Sequence, residues 1–156
     1  MNAATFNSHY PIGTPVLAYP GARREDIPSA EQLITRTRSK AETLGGHTDV
    51  VWVDGHGSCI ALSHIDPVTE EQWEQARIDL AATTAARRAA LLDAIRTYPN
   101  GGWKPERAAS AMQQAGFDSA STRTAKADLE ALAADGHLTP VTEMVIRHYD
   151  LTGAAS

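Results

Sequence analysis

The hydrophobic period of this chain changes once, and the change falls at Pro67. Before it, apolar and β-branched residues come in short runs bounded by turn residues, at 14–19, 32–38, 49–53 and 59–65. Such runs predict strands. Within 32–38, Ile34, Arg36 and Arg38 share one face, and Leu33, Thr35 and Thr37 share the other. The "DGHG" at 54–57 lies between the third and fourth runs and predicts a hairpin. The charged, proline-bearing "PGARREDIPSAE" at 20–31 predicts an exposed loop. After Pro67 the spacing becomes helical. Thr69 with Gln72 three residues later is a capping-box pattern. Glu70, Glu71 and Glu74 place negative charge in the first turns, which suits the helix dipole. Trp73, Ala76 and Leu80 form one apolar stripe. Thr83 and Thr84 are weaker helix formers, so the helix either breaks there or runs on to Tyr98. Pro99, Asn100, Gly101 and Gly102 end it.

The strands are too few for a sandwich, and a small closed or half-open barrel is the natural way to hide their edges. In number and length they resemble an SH3-like barrel. Beyond Thr84 the order is three helices and a hairpin. The first helix carries Leu91, Leu92, Ile95 and Tyr98 on one face. The second opens with Pro105 at a first-turn position, carries Ala108, Ala109, Met112 and Ala115, and stops at Gly116. Phe117 follows as an apolar plug, with Ser119 or Ser121 as the cap of the third helix. That helix is expected over 119–135, ending at Gly136. Two strand-like runs, "HLTPV" and "MVIRHYDL", follow. This is the order of a winged helix, whose third helix enters the major groove.

The stretch "TAKADLEALAADGHL", 124–138, resembles the recognition-helix signature of DeoR-type winged-helix repressors. Thr124, Lys126, Asp128, Leu129, Leu132, Gly136 and Leu138 stand at the family's positions. Ala125 replaces its branched aliphatic residue and Ala127 its second basic one. The resemblance implies a DNA-binding third helix and does not extend to the family's large effector domain. On a helical wheel, Thr122, Ala125, Leu129 and Leu132 face inward, while Ala120, Arg123 and Ala127 face outward. Arg123 is thereby placed to reach a base edge. Thr124 and Lys126 are expected nearer the phosphates, as are Ser119 and Ser121 at the helix N-terminus. Arg147 and His148 are the backbone-contact candidates on the wing. Arg87 and Arg88 read as a solvated basic pair.

Charge narrows where any nucleic acid would bind. The chain of 156 residues carries a formal net charge of −5. Residues 1–79 hold 6 basic and 11 acidic side chains, whereas residues 80–156 hold 8 of each. A DNA contact must therefore be a local patch of the second half. No apolar run approaches the ~20 residues of a membrane span. The start of the chain lacks a basic segment followed by an apolar one, so no secretory signal is read. With the lone Cys59, this gives a cytoplasmic expectation. His47, His56, His64 and Cys59 match no zinc spacing, and no phosphate-binding glycine loop is present.

The reading is an α+β chain: an SH3-like β-barrel at 10–67, a linking helix at 69–83 and a winged helix-turn-helix domain at 84–152. Its expected function is non-catalytic: a bacterial or phage transcriptional regulator binding double-stranded DNA, with no cofactor or metal. A homodimer or a protein partner is expected through the barrel or the linking helix, where the Trp73 stripe calls for cover. The alternative is a protein–protein adaptor using both domains as interaction modules.

Overall fold

The computed structural model describes residues 1–27, 30–100, 102–143 and 146–153, the side chains of 142, 143, 146 and 147 excepted. It is a mixed α+β fold with four α-helices and small antiparallel sheets among the described residues. The chain divides into two compact units, 1–80 and 81–156.

The first unit begins with a helix that the strand pattern does not announce, α1 (Ala3–His9). Its N-cap is Asn2, whose side chain accepts the Thr5 N–H at 2.8 Å. Phe6 is buried on its inner face. Asn7 fixes the helix to the chain at Ala41: its Nδ2 donates to the Ala41 carbonyl and its Oδ1 accepts the Ala41 N–H, both at 2.8 Å.

The strands are β1 (Pro15–Ala18), β2 (Leu33–Arg36), β3 (Glu42–Leu44), β4 (Thr48–Val51), β5 (Ile60–Ala61) and β6 (Ile65–Pro67). They pair as two three-stranded sheets, β2-β1-β6 and β3-β4-β5. Neither sheet closes into a barrel, so the expected closure is not made. A single antiparallel bridge, Thr37 to Val53, lies beyond the ends of β2 and β4. The third and fourth sequence runs do pair, as β4 with β5, across residues 52–59. An earlier hairpin joins β3 to β4 through Gly45 and Gly46, with φ of +61° and +76°. Two successive left-handed residues suit a tight hairpin turn, and glycine takes that conformation at little cost.

The core of this unit gathers Val16, Val51, Val53, Ile60, Ile65 and Phe6. Thr35 and Thr37 lie on the inner face of β2 and its extension. Their hydroxyls are satisfied there: Thr35 Oγ1 donates to the Asp54 carbonyl at 2.9 Å, and Thr37 Oγ1 accepts from Gly13 and Thr14 at 3.1 Å each.

The capping box forms as the sequence predicts. Thr69 N–H donates to Gln72 Oε1 at 3.0 Å, and Gln72 N–H to Thr69 Oγ1 at 3.2 Å. The helix that follows, α2 (Glu70–Thr97), is continuous for 28 residues, about 42 Å at the usual rise. The separation of 69–83 from a helix starting at 84 is therefore absent. Six alanines around Thr83 and Thr84 supply enough helix propensity to carry the backbone through.

The second unit takes residues 81–97 of α2, α3 (Pro105–Gln114), α4 (Thr122–Ala134) and the hairpin β7 (Leu138–Glu143) with β8 (Ile146–Leu151). Leu91 and Ile95 of α2, Met112 of α3 and Leu129 of α4 are fully buried together. Trp103 lies among them, and its backbone exchanges two hydrogen bonds with Tyr149 of β8 at 2.9 and 3.1 Å. That bridge adds a short third edge to the hairpin. Gly136, at φ +81°, closes α4. Its N–H bonds to the Ala133 carbonyl at 3.0 Å and that of His137 to the Leu132 carbonyl at 2.9 Å, a Schellman stop.

Candidate functional site

α4 is the element on which the sequence places its functional residues, and its two sides differ sharply. Ala125, Leu129 and Leu132 are buried, as the wheel requires. Thr122, expected inward, is exposed, because it opens the helix at the unit's edge. Ala120, expected outward, is buried. It precedes the first helical residue, so a spacing of 100° per residue does not apply to it. Its carbonyl accepts Gln113 Nε2 at 2.7 Å, and its N–H bonds to the Phe117 carbonyl at 2.8 Å.

Ser121 is the N-cap. Its Oγ accepts the Thr124 N–H at 3.2 Å and lies 3.0 Å from Thr124 Oγ1. Ser119, Ser121, Arg123 and Lys126 are exposed, and Thr124 is half-buried. The front half of the helix thus presents hydroxyls and two cations in one exposed stretch, with the helix N-terminus behind them. Glu130 is exposed farther along the same helix. His148 lies apart from this set. Its ring is 15% exposed, 3.5 Å from Asp150 and close over Gly102, where a Cβ would come within 2.6 Å of it. The side chain of Arg147 lies outside the described residues.

The inner side of α4 holds a residue to which the sequence reading gave no role beyond its place in the motif. Asp128 is 1% exposed. Arg87 donates to it through Nε at 2.5 Å and Nη2 at 3.1 Å, and Arg88 donates through Nε at 3.0 Å. The basic pair expected to be solvated therefore anchors α4 to α2. The signal was available. Asp128 sits one turn from Ala125 and beside Leu129 on the inward face, and a buried carboxylate requires a cation. Two arginines on one carboxylate leave this anchor with a net positive charge.

Arg36 and Arg38 of the first unit are committed to local partners. Arg36 donates to both oxygens of Glu70 at 2.8 and 2.7 Å and lies 4.3 Å from the Trp73 ring centre. These hydrogen bonds hold the Glu70 carboxyl below its ordinary pKa and the Arg36 guanidinium above its own. Arg38 donates to the Val53 carbonyl at 3.0 Å. Trp73 Nε1 donates to the Thr35 carbonyl at 3.0 Å, which seats the start of α2 on β2. Leu80, of the same stripe, remains 47% exposed, and Ile78 is 54% exposed.

Among the described residues no three His, Cys, Asp or Glu side chains are grouped to hold a metal ion, and no helix is long and apolar enough to cross a membrane. Comparison of the chain with protein-family models, with curated proteins and with solved structures found no match.

Proposed function

We propose that this chain is a non-catalytic DNA-binding protein, a cytoplasmic transcriptional regulator. Its second unit is read as a winged helix of the DeoR type that inserts α4 in the major groove of double-stranded DNA. The observation that carries this reading is the two-sidedness of α4. Its back is fixed by Leu129, Leu132 and the doubly paired Asp128, while Arg123 and Lys126 stand exposed on its front half. A helix that reads base edges needs this division: a rigid seat behind and polar donors in front. The order of three helices and a hairpin, with Trp103 bridging to β8, supports the same reading. The first unit is read as an opened SH3-like module. The exposed Leu80, on the Trp73 face of α2, favours a protein partner or a second copy there.

The test is a fluorescence-anisotropy titration of the full chain against random-sequence duplexes at several salt concentrations. A DNA reader shows log K falling steeply with log salt, about 0.9 per phosphate neutralised. A flat response transfers the second unit to the adaptor reading, in which the same face binds protein.

A further inference from the structure

The end of the second unit away from Arg123 contains an open pocket of about 480 Å³. It lies where the last turns of α2, the Schellman stop after α4 and the end of β8 meet. Leu92 and Leu151 form its apolar part, and Arg96 and His137 its polar part. Leu92 and Arg96 are one turn apart on α2 and share one face of the helix. Among the described residues Arg96 has no ionic partner and the His137 ring no hydrogen bond. Among the described residues that line the pocket none is acidic. The nearby carbonyls are already occupied: that of Leu132 accepts the His137 N–H at 2.9 Å, and that of His137 accepts the Thr152 N–H at 3.1 Å. The volume falls within the ~300–1,000 Å³ typical of small-molecule sites.

We propose that this pocket binds a small amphiphilic anion, a carboxylate carried on a short apolar body. The carboxylate pairs with Arg96, whose planar fork matches two carboxylate oxygens, and the body covers the half-buried Leu151 and the small edge of Leu92 that the core leaves open. An inorganic ion would leave the half-buried Leu151 uncovered, and a neutral apolar molecule would leave the exposed Arg96 without a counter-charge. The site is independent of the DNA reading. α4 spans 13 residues, so about 20 Å of helix separates its front from this pocket.

Hexanoate is the probe, titrated into the ¹⁵N-labelled full chain and followed by amide chemical shifts. The expected result is saturable shifts at Gly136, His137, Thr152 and Gly153, with a Kd of roughly millimolar order. Acetate, which lacks the body, and 1-hexanol, which lacks the charge, leave these amides unsaturated at the same concentrations. Arg96→Gln, an exposed change, weakens hexanoate about tenfold while the remaining resonances hold their positions. The proposal is overturned if hexanoate shifts do not saturate, if hexanol reproduces them, or if Arg96→Gln titrates as wild type. The comparison of the three probes needs no variant, so it decides even if the substitution perturbs the fold.

Discussion

Replacing Asp128 by alanine tests how α4 is held. The side chain is 1% exposed and accepts three hydrogen bonds from two arginines. Deleting it leaves two guanidinium groups with no carboxylate. Removing one partner of a buried ion pair typically costs about 3–5 kcal/mol. Here the arginines lie nearer the rim, with 15% of the Arg87 side chain and 37% of the Arg88 side chain exposed. Arg88 rehydrates readily and Arg87 in part, which reduces the expected loss to about 2–4 kcal/mol. Against a total stability of roughly 5–15 kcal/mol for an ordinary domain, that is a large fraction. Urea unfolding with hydrogen exchange read by segment is the assay. Amides of α3, α4 and the second half of α2 should lose protection by this amount, while those of β1, β2 and β4 keep theirs. Arg88→Ala should cost less, about 1 kcal/mol, because it leaves the Arg87 pair intact. A loss below about 0.5 kcal/mol for Asp128→Ala, the range of exposed substitutions, would refute the anchor.

Three further outcomes follow from the same geometry. The Arg36–Glu70 contact holds the Glu70 pKa down, so its stabilising effect is present above the ordinary carboxylate pKa and is lost as pH falls through the lowered value; Glu70→Gln should flatten that part of the acid-unfolding curve. Ser121→Ala removes the α4 cap and should cost about 1 kcal/mol in thermal unfolding, with no loss if the cap is idle. Changing Ile78 and Leu80 together to glutamate should leave monomer stability within about 0.5 kcal/mol, since both are exposed, yet abolish any self-association seen by sedimentation; unchanged association would move the contact elsewhere.

Much of this fold is written locally and was legible as such. The change of period at Pro67, the Thr69–Gln72 box, Pro105 opening α3 and Gly136 closing α4 are all signals within four residues of where they act. The inward positions Ala125, Leu129 and Leu132 follow from spacing alone. What was missed depends on partners distant in sequence. α1 is tied down by Asn7 reaching Ala41, and nothing near residue 7 announces that contact. β3 carries Glu42 and Thr43 and exposes all three residues, so it has no apolar signature; only Gly45 and Gly46 mark its hairpin. The arginines at 87 and 88 look like surface charge until Asp128, some forty positions on, is seen to be buried. Sheet closure is likewise a long-range property, and counting strands led to a barrel that the hydrogen bonds do not complete.

The central claim is that the front of α4 reads DNA, and two alanine substitutions test it most directly. A binding site would first be selected from random duplexes with the wild-type chain, and affinity then measured across salt concentrations. Arg123→Ala should weaken that site by about 1–3 kcal/mol and relax preference at one base position. Lys126→Ala should weaken specific and non-specific binding together and flatten the salt slope by about one unit. Leu129→Ala, by contrast, should act through folding, costing about 2–5 kcal/mol of stability. If Arg123→Ala and Lys126→Ala both bind the selected site as tightly as wild type, with the same salt slope, the exposed half of α4 does not touch DNA.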